Sequence, residues 1–327
     1  MPRFVRCCPV AVLGMALLLP GVERTPGAAA QAVDPLDLVK QARKLNSEGE
    51  QDAALALYRR ALERSPDLFD AHLGAGVALD LKGTYKEARQ HFGKAIELAP
   101  EGSKNLALTA MGVSHAFEGD AKSASTFYRQ VFDREMLAQN VAGAAETANA
   151  LGRVYLESGD LDNAFKWYQT GYETSRRQSK LTGEQIDLWD LRWAHAQARI
   201  AARRGNAQEA RDKIASVKSV LDKGSNPEQQ VQYPYLVGYV DFYLKDYPGA
   251  IAELQKADQK DPFILALLAQ AYEKSGDQVK AREYYEQVLL SNAHSPNNAF
   301  ARPLARRRLK TSGRAQLRQR EPDFDDA

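Results

Sequence analysis

Cysteine is almost absent from these 327 residues, and the two present, Cys7 and Cys8, sit ahead of the first apolar stretch. With that stretch removed no thiol remains, which excludes disulfides, a thiolate nucleophile and a Cys-liganded metal. An excess of either charge is also lacking: 44 basic residues face 42 acidic ones, spread along the chain rather than blocked. Nucleic-acid binding needs a concentrated basic face, so it is not expected. The five histidines, His72, His91, His115, His195 and His294, are scattered, and no two have the spacing of zinc ligands. No strand leads into a Gly-rich phosphate loop, because no segment alternates as a strand does. No metal, no cofactor and no catalytic residue is therefore expected.

What is present begins with a distinct N-terminus. Arg3 and Arg6 precede the uncharged apolar run Val10–Leu19, which Pro20 and Gly21 break before the small residues Ala28, Ala29, Ala30 and Ala32. This is the layout of a secretory signal peptide over residues 1–32, with cleavage after Ala30 or Ala32. An exported protein, periplasmic or extracellular, is expected. The run is shorter than a comfortable membrane helix, and an uncleaved anchor is the lesser alternative. A bacterial lipid anchor needs its cysteine after the apolar run, so none is expected. Taking Arg3, Arg6, Arg24 and Glu23 from the 44 basic and 42 acidic residues leaves 41 of each sign. Bulk charge then selects no partner.

The rest of the chain repeats itself. Ala54, Tyr58 and Ala61, closed by Pro66, recur 34 residues on as Ala88, Phe92 and Ala95, closed by Pro100. The same small–large–small triad returns at Ala124/Tyr128/Val131, Ala164/Tyr168/Gly171, Ala210/Ile214/Val217, Ala250/Leu254/Ala257 and Ala281/Tyr285/Val288. Spacings of four and then three residues lie on one helical face. Twelve residues ahead of each leading alanine stands another small residue, from Ala42 and Gly76 to Gly238 and Ala269. Five ahead stands glycine in six units of seven, and Lys245 alone breaks that series. Glycine there ends one helix in a left-handed turn and lets the next begin. The small pair lets two antiparallel helices cross closely, and the large residue is expected to fill the seam to the next unit.

The clearest unit, Ala148, Leu151, Gly152, Tyr155, Gly159, Ala164 and Tyr168, resembles the tetratricopeptide repeat. The expected fold is all-α: an α-α superhelix of about seven helix-turn-helix repeats over residues 33–310, closed by a capping helix from Asn298 to Lys310. Residues 311–327 read as a disordered tail. Successive leading alanines are 34, 36, 40, 46, 40 and 31 residues apart. The longest interval, holding Arg176–Gln185, predicts longer helices or an exposed loop, and the shortest predicts that the second helix near Ala250 loses most of a turn.

Function is implied by the resemblance. In that family the first helices line a concave groove that takes an extended peptide or a partner helix. By slot, the central units would present Asn149, Arg153, Arg192, His195, Arg199 and Arg203, and the next unit Tyr235, Tyr239, Phe242 and Tyr243. An arginine bank beside a tyrosine ladder suits a partner with acidic and apolar side chains. The family's clamp for a C-terminal carboxylate is not expected, because its slots hold Val39, Arg43 and Gly74. A protein or peptide partner in envelope assembly or secretion is therefore expected. An enzyme on a helical-repeat scaffold acting on glycans, and a self-assembling stack, are the alternatives. The basic run Arg302, Arg306, Arg307, Arg308, Lys310, Arg314, Arg318 and Arg320 reads as a soluble cap, with weak contact to an anionic envelope surface as the lesser reading.

Overall fold

Each second helix follows a residue with left-handed backbone, and four of the seven add an aspartate cap. Gly83 takes a left-handed φ of 90°, and its N–H and that of Thr84 both return to Leu79 O. Where the next helix begins, Asp120, Asp160, Asp246 and Asp277 accept a hydrogen bond from a first-turn amide at 3.0, 3.1, 3.0 and 2.9 Å. Lys245, the one non-glycine in its series, adopts the same left-handed backbone at φ 69°. A Cβ in that region costs about 1–2 kcal/mol. Lys245 is exposed, so Lys245→Gly is expected to raise unfolding free energy by about 0.5–1 kcal/mol once glycine's greater unfolded-chain entropy is subtracted. Urea unfolding checks it, and an unchanged or lowered midpoint would contradict it.

The computed structural model describes residues 33–318, with side chains through residue 311; the signal-peptide expectation at residues 1–32 lies outside them. Among the described residues there are fifteen α-helices and no strand. The first fourteen form seven hairpins: α1 (Pro35–Ser47) with α2 (Gln51–Arg64), α3 (Phe69–Lys82) with α4 (Tyr85–Leu98), α5 (Lys104–Phe117) with α6 (Ala121–Leu137), and α7 (Val141–Ser158) with α8 (Leu161–Ser175). Next come α9 (Gly183–Arg203) with α10 (Ala207–Leu221), α11 (Gln232–Tyr243) with α12 (Tyr247–Leu254), and α13 (Pro262–Lys274) with α14 (Gln278–Val288). The longest interval holds both a loop and a lengthened helix: α9 has 21 residues and opens on a capping box between Thr182 and Gln185. The shortest leaves α12 only 8 residues.

The small residues sit where the helices cross. Ala54, Ala88, Ala124, Ala164, Ala210 and Ala250 have no exposed surface at all, so nothing larger fits without displacement. A Cβ built on Gly76 would lie 2.6 Å from Phe92 Cε1. Phe92 is itself fully buried, so Gly76→Ala is expected to lower stability by about 1–3 kcal/mol through overpacking. Thermal unfolding reads that loss, and an unmoved midpoint would show that the hairpin yields. The large residue does more than fill the seam: Tyr58 reaches forward onto Gly74 of the next hairpin, while Phe92 lies on Gly76 of its own.

The last helix departs from a simple cap. α15 (Pro296–Arg318) runs past the expected end at Lys310. It packs on α13 and α14 and also on α5 and α7. Ala301 and Ala305 enter the core of the final repeat, whereas Ala299 enters a core shared with Leu81, Val113 and Leu151. Arg302, 7% exposed, donates to Leu81 O at 3.0 Å, Leu289 O at 2.9 Å and Ser291 O at 2.7 Å. Arg306 donates to Leu81 O as well. Ahead of the helix, Asn292 accepts from Gln51 Nε2 at 3.0 Å. His294 sits 2.8 Å from Asp80, which also accepts from Ser114 Oγ at 2.9 Å. The C-terminal segment thus ties the last hairpin to the turns of the first two. This corrects the envelope-contact reading for Arg302, whose guanidinium is taken up by three internal carbonyls, while Arg306 gives one donor to Leu81 O. The side chains of Arg314 and Arg318, and all of Arg320, lie outside the described residues. No helix among the described residues is long and apolar enough to cross a membrane.

Candidate partner-binding site

The ten groove residues gather, but most of them turn on one another. α7 supplies Asn149 and Arg153, α9 supplies Arg192, His195, Arg199 and Arg203, and α11 supplies the tyrosines. Arg153 stacks on Phe263 of α13 with its guanidinium carbon 4.5 Å from the ring centre, and on Tyr235 at 6.0 Å. Arg199 lies over Tyr168 at 5.4 Å and Tyr239 at 5.8 Å, and Arg203 over Tyr243 at 4.8 Å. The ladder itself is tightly packed, with the Tyr239 and Tyr243 ring centres 4.6 Å apart. Phe242 meets Tyr243 edge-on at 5.2 Å.

Burial corrects the groove expectation. Tyr239 has no exposed surface, Tyr235 3% and Arg199 4%. These three therefore form an interior of stacked cations and rings and offer no open contact face. The cause is geometric: α13 closes over the face of α11 that the four-residue spacing defines, and Phe263 fills the space a peptide would need. Arg203 is likewise turned inward, donating to Leu156 O and to Glu157 at 3.3 Å.

Asn149, Arg192 and His195 remain half-buried at an opening. With Leu191, Arg199, Gln229 and Gln232 they line a cleft of about 130 Å³. Arg192 is paired with Glu146. Burial, reinforced by the cations of Arg199 and Arg153, holds the His195 ring well below its ordinary range, so it is neutral at pH 7. Burial pushes the Tyr243 hydroxyl up to about 12. A wider cleft of about 500 Å³ lies by Glu101, Asn105 and Leu137. Its cation, Arg134, is already bonded to Asn105 at 2.8 Å and to Glu101, so it offers a ligand less.

Two side-chain groupings escaped the sequence reading. His72 Nδ1 and His91 Nδ1 are 3.0 Å apart although 19 residues separate them. His72 stands one turn before Gly76 in α3 and His91 directly before Phe92 in α4, and the expected crossing of those two helices was the available signal. No group of three or more His, Cys, Asp or Glu among the described residues could hold a metal ion. The other is the Asp80–His294 contact, which spans 214 residues and carries no local signature.

Three segments match tetratricopeptide repeat families: residues 40–103, 145–177 and 264–299. No curated protein matches the chain in sequence. Among solved structures, the apo form of RapI superposes with a TM-score of 0.51 at 12% identity, over 85% of this chain and 99% of that one. That likeness shows a shared helical-repeat fold. A tetratricopeptide repeat protein from Parabacteroides merdae reaches 0.48 at 12% identity, covering 84% of this chain and 98% of that one. The Cut9–Hcn1 structure of the APC/C gives 0.41 at 20% identity over 86% of this chain, which spans only 49% of that one. Matched at the beginning, the middle and the end of a stack of seven hairpins, three segments of this chain are tetratricopeptide repeats.

Proposed function

We propose that this protein is an exported adaptor that holds a protein or peptide partner in cell-envelope assembly or secretion, and that the partner enters at the mouth formed by α7, α9 and the start of α11. The observation that carries this reading is the cleft beside Asn149, Arg192 and His195, where half-buried residues of the expected groove border an opening. Its described lining contains amides, an imidazole and guanidinium groups and no carboxylate. That composition supports recognition of an acidic segment over hydrolysis, which needs convergent acid and base groups. Export is supported by the N-terminal layout of charge, apolar run and small residues.

A photo-reactive residue at Gln232, exposed beside the mouth, is expected to give a discrete adduct in the envelope fraction. The same residue at Ala215, exposed on α10, is expected to give none. Arg192→Ala should reduce the Gln232 adduct severalfold without loss of helicity. Equal labelling from both positions would sink the assignment of the mouth.

A further inference from the structure

The interior behind that mouth carries more positive charge than the described residues neutralise. Three arginines, Arg153, Arg199 and Arg203, gather around one carboxylate, Glu157, which lies 3.8 Å from Arg153 and 3.3 Å from Arg203. Arg203 gains a backbone carbonyl besides. Arg199 receives neither. Its Nη2 donates to Tyr168 Oη at 3.0 Å, a neutral oxygen. Its Nε and Nη1 have no hydrogen-bond partner among the described residues, although the residue is 4% exposed. A buried ion left in that condition is strongly unfavourable. Stacking on Tyr168 and Tyr239 returns part of that cost.

Unpartnered buried groups of this kind call for a physical explanation. A packing role alone would not retain the charge, since an apolar side chain of similar length fills a core at lower cost. A bound water could meet a hydrogen bond but would leave the charge surplus in place. The cleft of about 130 Å³ opens directly beside Arg199 and is too small for a helix or a nucleotide. At its rim Asn149 adds an amide, and the neutral His195 ring adds a hydrogen bond without adding charge.

We propose that this cleft is a binding site for a single carboxylate group, held by the buried Arg199 guanidinium with Asn149 and His195 at its mouth. The carboxylate supplies the missing negative charge and an acceptor for the unpartnered Nη1–H. The inference deepens the adaptor reading and rests on it for the source of the group. An Asp or Glu side chain of the partner presents this chemistry, and so does a free short-chain acid.

Isothermal titration of the full chain distinguishes them, at fixed ionic strength, with sodium succinate, with the blocked peptide acetyl-Ala-Glu-Ala-amide and with inorganic phosphate. Saturable one-to-one binding of at least one carboxylate probe is expected. It should weaken about tenfold or more in Arg199→Gln, and not in Arg204→Gln, which alters an exposed arginine of the same helix end. Binding of the peptide alone assigns the group to a partner side chain, and binding of succinate alone assigns it to a free acid. If Arg199→Gln fails to fold by circular dichroism, the half-buried pair Asn149→Leu with His195→Leu reads the same loss. No saturable binding, equal binding in the variants, or preference for phosphate overturns the proposal. A Gln232 adduct without carboxylate binding would leave the adaptor standing and remove this site; carboxylate binding without an adduct would do the reverse.

Discussion

Truncating Phe92 to alanine is expected to lower the unfolding free energy by about 3–5 kcal/mol. The ring has no exposed surface, and it serves two interfaces at once. On one side it occupies the space that the missing side chain of Gly76 leaves in its own hairpin. On the other its ring centre lies 5.5 Å from that of His294, in the segment leading to α15. The cavity left by alanine could be refilled only by moving both the hairpin crossing and the C-terminal segment, so little collapse is available. Phe92→Leu keeps most of the volume and should cost less than about 1.5 kcal/mol. Urea unfolding followed by circular dichroism measures both variants. Near-equal losses would show that the site does not depend on ring volume.

The second large effect concerns the fold-back of α15. Arg302→Met keeps the aliphatic stem and removes the head that bonds Leu81 O, Leu289 O and Ser291 O. Hydrogen bonds to a charged group are worth about 1.5–3 kcal/mol each. Arg306 still reaches Leu81 O, and Asn298 Nδ2 still reaches Ser291 O at 3.2 Å. The methionine also spares the desolvation of a cation, which burial, with Arg306 nearby, depresses to about 10. A net loss of about 2–4 kcal/mol remains. The change should act locally first: trypsin should cut after Arg306 and Arg307 about tenfold faster or more, because the opened form is more populated. Arg307→Ala, at an exposed position, should stay within about 0.5 kcal/mol of the parent. Unchanged cleavage in Arg302→Met would show that α15 is held by its alanines alone.

The hairpins were legible because their signal is local. A small residue at Ala88, a large one at Phe92 and a left-handed turn at Gly83 all fall within a dozen residues, and each has one physical reason. The register held even between residues 175 and 230, where Ala198 and Ala210 are both fully buried. The groove was legible only in part. Four-residue spacing placed Tyr235, Tyr239 and Tyr243 on one face, but spacing along one helix does not say which other helix covers that face. Here Phe263 does. For the same reason Arg302 read as solvated, since the carbonyl it caps belongs to Leu81, 221 positions earlier. The contrast between Asn149, half-buried at the mouth, and the buried Arg199 depends on which distant residues enclose each one, and sequence spacing alone does not give that.

The fold-back also sets an order of events. Ribosomes deliver the first hairpins well before the residues that lock them, since Asn292 meets Gln51 across 241 positions. At roughly 5–20 residues per second that gap lasts about 12–48 s. Through that interval Ala299 is missing from the core around Leu81 and Val113, and the inner edge of the early repeats faces water. The late-arriving lock therefore delays completion of the fold until the segment from Asn292 to Ala305 has been made.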